Sequence, residues 1–312
     1  MNDGTLAVET AEGSGRRRSI RAATAVLALG GRQNTHWSRV ELAPGIHLGR
    51  WQGKIIPSDT LLTRDGAHYA GDWLAHWGKS RPRAVILGGA HSAFAAASML
   101  LNGMPDLRWG KANLRIVYRT EPRVFFPSRE AATAVNYPFT EDDVCPATGR
   151  VFRLSGLRGG GRELFCRIRG IGSVERETRA TAECLRSLTR EQLIYALDTA
   201  DLIVAALGYR LATPPVFDPS GRMVALAKTG PAVDHESRLL TAAGQPLPNV
   251  FGIGLGSNFR PWGAMAGERS FHGQQNSAWL YQHGLGEMIY AGVRRYARQL
   301  RTLEPATDLV AV

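Results

Sequence analysis

Apolar residues fall along this chain in short separated runs, and the most regular stretch is RAVILGGAHSAFAAASMLL, residues 83–101. Four apolar residues, 84–87, read as a buried strand that breaks at Gly88-Gly89. An alanine-rich apolar pattern then predicts a helix over about 91–102. A second strand, NLRIVYR, is expected over 113–119, and a further buried one in ADLIVAALGYR after a helical segment near 188–199. Upstream, GTLAVET alternates, AEGSGRRRS reads as a turn, and AATAVLALGG reads as a buried run ending in two glycines. Residues 32–80, with Trp37, Trp51, Trp73 and Trp77, read as a loop-rich connector carrying a short helix near 67–78. Residues 125–190 are mixed, with a turn at Gly159–Gly161. Residues 211–248 are turn-rich and lead into PLPNVFGIGLG, a strand running into glycines, and 270–303 is helical in pattern. The runs TAVLALGG (24–31) and DLIVAALGY (201–209) both end Ala-Leu-Gly, which points to two related nucleotide-binding domains.

At 312 residues and 44% hydrophobic, the chain can bury the core of one large or two ordinary domains. No apolar run approaches the ~18 residues of a membrane span. The opening MNDGTLAVET has no basic segment followed by an apolar one, so no export signal is expected. Cys145, Cys166 and Cys184 are unevenly spaced, which speaks against a zinc or dithiol site and suits a reducing cytoplasm. The formal charge is +11, and all but four of the 38 basic residues are arginine, spread from Arg16 to Arg301. That dispersal, without a recognition motif, argues against a nucleic-acid partner. A basic surface does suit a phosphorylated cofactor. The eight histidines contain no i, i+4 pair, so no metal site is expected.

The residues with the clearest chemistry are Gly88-Gly89-Ala90-His91-Ser92-Ala93. A dinucleotide fingerprint has the form G-x-G-x-x-G/A, and here Ala90 replaces the second glycine. Gly88 allows the tight turn and Ala93 lets the helix approach the sheet. The free N–H groups and dipole of the helix start would receive a pyrophosphate. The alternative is an α/β turn that binds nothing. The second strand ends VYRTEPR, offering Arg119 and Arg123 with Glu121 between them. NAD sites place an acid there and NADP sites an arginine, so NADPH is the expected cofactor. Arginines merely on the loop surface are the alternative.

With these pieces in order, the chain resembles the flavin-dependent N-hydroxylating monooxygenases of lysine and ornithine, flavoproteins with two dinucleotide-binding domains. In that family an Ala-Thr-Gly strand closes the FAD domain and an Ala-Thr-Gly-Tyr strand closes the inserted NADPH domain. Residues 28–30 and 206–209 stand at those places, with Leu29 and Leu207 for threonine. KIIPSDTLL (54–62) is similar to the family's His-Ser segment, keeping Ser58 but with Pro57 for histidine. GQQNSAWLYQHGLGEMI (273–289) is similar to its C-terminal flavin-side segment, at a different spacing. Where the family has Asp after the NVF-x-I-G glycine, this chain has Leu255.

The resemblance implies an α/β fold with a Rossmann-like NAD(P)-binding domain inserted in a partial FAD-binding domain. Residues 1–80 would be the C-terminal-half strands of the FAD-type domain plus a linker, 81–210 the NADP-binding domain, and 211–312 the return segment. It implies that NADPH reduces the flavin, which with oxygen gives a hydroperoxide that hydroxylates an amine such as a lysine or ornithine side chain. Gly88, Gly89, Ala90, His91, Ser92 and Ala93 would hold NADPH, with Arg119 and Arg123 near its 2′-phosphate. Gly30, Gly254, Gly256, Gln274 and His283 would lie on the FAD side; no catalytic acid or base is indicated. Upstream of residue 31 the sequence shows no FAD fingerprint, so the expectation is a shortened or split enzyme. Its partners would be a small-molecule substrate and a separate FAD-binding chain or a second copy. A catalytically silent NADP-binding or partner-interaction protein is the other reading.

Overall fold

The computed structural model describes residues 4–76, 81–228, 230–254, 256–273, 280 and 282–303. The chain divides into two compact units, one made of Met1–Arg32, Tyr209–Ala266 and His272–Val312, the other of Gln33–Gly208 and Gly267–Phe271.

The first unit opens as a hairpin, β1 (Leu6–Ala11) antiparallel to β2 (Arg17–Ala22); the alternating pattern suggests β1 and the turn, whereas β2 takes up much of the stretch read as turn. β3 (Ala25–Leu27) and β4 (Gly31–Arg32) follow.

The chain then builds the second unit through the short hairpin β5 (Glu41–Ala43) and β6 (Ile46–His47), β7 (Ile55–Pro57), α1 (Ser58–Leu61) and α2 (Arg64–His76). Next come β8 (Ala84–Leu87), α3 (His91–Asn102), β9 (Leu114–Tyr118), β10 (Arg123–Val124) and α4 (Arg129–Thr133). It closes with β11 (Gly156–Leu157), α5 (Gly159–Arg169), β12 (Ala180–Cys184), α6 (Arg190–Thr199) and β13 (Leu202–Ala205).

Five of these strands form one parallel sheet in the order β12-β9-β8-β13-β7. β8 and β13 are buried at every residue because both faces of the sheet are covered. Their side chains alternate between two cores. Ala84, Ile86, Leu202 and Val204 pack with Phe94, Leu100 and Phe165 of α3 and α5. Val85, Leu87 and Ile203 pack with Leu193 and Leu197 of α6 and with Trp51. From β8 the sheet grows one way through β9 and β12 and the other way through β13, so a switch point lies between β8 and β13.

Several sequence expectations change. Residues 33–76 count with the parallel-sheet unit rather than with the flanking segments, because Ile55–Pro57 is the strand that borders β13. Gly159–Gly161 does not make a turn between elements; it starts α5, which continues because Leu164, Phe165 and Ile168 bury against the core. β12 escaped the pattern because its inward residues are only alanines, Ala180 and Ala182, on a border strand with Thr181 and Glu183 between them.

The chain returns to the first unit with β14 (Arg210–Leu211), antiparallel to β4, then β15 (Arg238–Leu240), β16 (Pro246–Gly252) and α7 (Gly284–Leu303). A three-stranded sheet runs β15-β16-β3, with β16 and β3 parallel. Its core gathers Val233, Phe251, Phe259, Leu285 and Ile289. The run AATAVLALGG is not buried as expected: Val26 is 46% and Leu29 56% exposed, since β3 borders this small sheet. The matching strand residues Leu202–Ala205 are buried because β13 sits inside the larger sheet. Among the described residues no helix is long and apolar enough to cross a membrane.

Candidate nucleotide-binding site

The carboxyl ends of β8, β9 and β13 open onto a cleft of about 550 Å³, lined in part by Gly88, Gly89, Ala90, His91, Arg119, Glu121, Arg123 and Leu207. Ligands of open α/β sheets sit at this crevice beside the switch point.

Gly88 ends β8 at φ +143, and a Cβ there would stand 2.4 Å from the Ala206 carbonyl oxygen at the end of β13. The close approach is fixed by two backbone bonds: Ala206 N–H donates to Leu87 O at 2.8 Å, and Gly88 N–H to Val117 O at 2.9 Å. A Cβ on Gly89 would meet the Tyr118 Cβ at 2.8 Å. Ala90 is the extended residue before α3, and its carbonyl accepts the Ala93 N–H. The first N–H groups of a helix have no acceptor within it, and Ala90 and His91 bring that end of α3 to the cleft wall. Ser92 is half-buried and Ala93 is buried in the core under the sheet, so neither is a wall residue.

His91 acts inside the protein. Its Nε2 accepts the Arg158 N–H at 3.1 Å and so links the start of α3 to the start of α5. Partial burial, and the Arg158 charge after it, hold its pKa below 6.5, so the ring is neutral and able to accept.

At the end of β9 a three-residue network stands beside the arginines. The buried Tyr118 hydroxyl donates to Glu121 Oε2, while Arg169 of α5 donates through Nη2 to Glu121 Oε1 at 2.7 Å and to the Tyr118 hydroxyl. Burial and the Glu121 bond push the Tyr118 pKa up, so it stays a phenol. Arg119 is exposed, and the exposed Arg123 lies 5.1 Å over the Phe152 ring. Arg169 was not legible in the sequence, since it lies 48 residues from Glu121.

Another missed residue is Glu268. Its carboxylate, 2% exposed, accepts from Leu154 N–H at 3.0 Å, Ser155 N–H at 2.9 Å and Ser155 Oγ at 2.8 Å. It thereby fixes the loop before β11, whose Ser155 lines the cleft. Ser58 is a buried structural group, accepting from Gln33 Nε2 at 2.8 Å at the start of α1.

In the first unit, Gly30, Gly254 and Gly256 gather where the parallel pair β3 and β16 runs out. A Cβ on Gly254 would stand 3.9 Å from Gly30 Cα. Gly256, at φ +83, admits no side chain, because its Cβ would lie 2.3 Å from the Arg210 and Leu211 backbone. His283 immediately precedes α7 and accepts the Glu287 N–H on its carbonyl. Gln274 and Leu255 lie outside the described residues. β3 and β16 both run into loops. The cleft beside β8, with its glycine turn and helix start, does fit a dinucleotide.

No protein-family profile matches the chain. The CMP-5'-(3-aminopropyl)phosphonate hydroxylase of Streptomyces rubellomurinus is 31% identical over 275 residues, which is 85% of this chain and 60% of that protein. The chain thus spans 60% of the length of this curated relative. Among solved structures, the cadaverine monooxygenase of Erwinia amylovora, bound to FAD, matches 99% of this chain and 68% of its own at 13% identity and TM-score 0.46. L-Lysine 6-monooxygenase from Pseudomonas syringae matches 96% and 68% at 18% identity and TM-score 0.42. The ornithine N-hydroxylase of Kutzneria sp. 744, with reduced FAD, NADP+ and L-ornithine, matches 94% and 68% at 13% identity and TM-score 0.42. The expected resemblance is met at the level of a hydroxylase: by sequence the chain is a relative of the Streptomyces hydroxylase.

Proposed function

We propose that the chain is the NADPH-binding part, with adjoining flavin-side segments, of a monooxygenase-type oxidoreductase that hydroxylates an amine nitrogen. The observation that carries this is the cleft at the switch point of the parallel sheet, where the Gly88 turn and the start of α3 meet the arginine-bearing end of β9. There the amides of the α3 start would take the pyrophosphate, and Arg119 and Arg123 the 2′-phosphate. Gly88 keeps the turn narrow, and neutral His91 keeps α3 and α5 in register. A flavin, when bound, supplies the redox and oxygen chemistry. Its binding would draw on a further FAD-binding segment or a partner chain, which belongs to the proposal.

The substrate is a small amine. A lysine- or ornithine-type side chain and an aminopropyl group carried on a nucleotide phosphonate both fit. The second is favoured by the 31% identical relative and by the net charge of +11, which suits a phosphorylated carrier. Three free thiols suit a reducing cytoplasm. The second reading is an NADP-binding protein without oxygenase chemistry, which uses the same cleft. Tryptophan fluorescence titration with NADPH, a flavin spectrum of the purified chain, and NADPH oxidation with added FAD and amine separate the two. Binding with amine-dependent oxidation supports the first, binding alone supports the second, and no binding rejects both.

A further inference from the structure

We infer that Arg169 sets the nucleotide preference of the cleft: by holding Glu121 it silences a carboxylate that would otherwise oppose a 2′-phosphate. This rests on reading the cleft as a nucleotide site.

An acid just past the second strand is the usual receptor for a free ribose 2′-hydroxyl, and it repels a phosphate at the same place. Glu121 lies three residues past β9 and lines the cleft, so by position it favours NADH. Its chemistry in the structure is otherwise. One carboxylate oxygen receives the Tyr118 hydroxyl and the other receives Arg169 Nη2 at 2.7 Å. Arg169 is itself held in place. It is the last residue of α5, where a cation suits the helix dipole, and its guanidinium lies 5.7 Å over Phe165 and 6.0 Å over Tyr118. The Glu121–Arg169 pair is electrically neutral, and Arg119 and Arg123 on the same wall are left to set the local sign.

Isothermal titration calorimetry of the whole chain with NADPH, NADH, 2′,5′-ADP and ADP tests this. The wild type binds NADPH and 2′,5′-ADP in preference to NADH and ADP. Arg169→Gln weakens NADPH and 2′,5′-ADP about tenfold, or about 1.4 kcal/mol, and leaves NADH and ADP as tight or tighter. Glu121→Gln alone leaves NADPH within about twofold of the wild type, well under the 1.4 kcal/mol of a tenfold change. Adding Glu121→Gln to Arg169→Gln restores the preference for NADPH. An Arg169→Gln protein with the wild-type ratio overturns the inference. So does a double variant that stays weak, because Arg169 would then be a direct phosphate ligand. Should Arg169→Gln not fold, a large effect of Glu121→Gln on NADPH binding overturns it equally. A wild type that binds neither nucleotide overturns the nucleotide reading and this inference with it, which separates the two failures.

Discussion

Replacing Gly88 by alanine isolates the claim that the turn is imposed by the sheet. The added Cβ would stand 2.4 Å from the Ala206 oxygen and 3.0 Å from the Ala206 Cβ. Neither neighbour is the far end of a flexible side chain, and Ala206 N–H is bonded to Leu87 O. A non-glycine residue at φ +143 costs roughly 1–3 kcal/mol in backbone strain. Taking about 2 kcal/mol of that strain with about 1 kcal/mol for overpacking the turn, the total is about 3 kcal/mol. For a unit of this size a kcal/mol moves the melting temperature by about 2–4 °C, so a fall of about 6–12 °C is expected. Thermal unfolding followed by far-UV circular dichroism measures it. Gly53→Ala is the control, because no atom lies within 4 Å of its Cβ position and its φ is not in the left-handed range. It should stay within about 0.5 kcal/mol of wild type. A Gly88→Ala protein that melts with the control would show that the strands β8 and β13 do not meet as described.

Glu177 gives an acid-side signature. It is buried, and hydrogen bonds from Arg179 hold its pKa below 4.5 against the opposing effect of burial. A carboxylate with a depressed folded pKa stabilises fully above its unfolded value and loses that contribution as pH falls through the folded one. Glu177→Gln should therefore cost roughly 1.5–3 kcal/mol in urea unfolding at neutral pH, and the gap should close below 4.5; a gap unchanged at strongly acid pH contradicts this. For His91 the folded pKa also lies below the unfolded one, so its stabilising neutral form is complete above 6.5 and is lost as pH falls through the folded value. Imidazole NMR should show a titration midpoint under 6.5 and loss of the Arg158 N–H bond on protonation; a midpoint at or above 6.5 refutes the clamp.

The sequence by itself determined the local unit that makes the cleft. The run 84–87, the Gly88-Gly89 break, the helix at 91–102 and the arginine-flanked end of β9 all come from short-range periodicity and turn chemistry. β1 and the turn after it were legible for the same reason, but β2 lies largely in the stretch that reads as turn. Only the tertiary structure decided what those elements face. TAVLALGG and DLIVAALGY are similar apolar runs, yet the strand of one borders a small sheet and is partly exposed while the strand of the other, Leu202–Ala205, is buried at every residue. β7 reaches the far border of the parallel sheet from ahead of β8, and β12 reaches the other with little more than two alanines to mark it. Arg169 meets Glu121 across 48 residues, and Glu268 meets Ser155 across 113. A residue's own neighbours in sequence encode its local backbone conformation. Which charge stands opposite it depends on how helices lie on the sheet, and that is settled by packing the whole core.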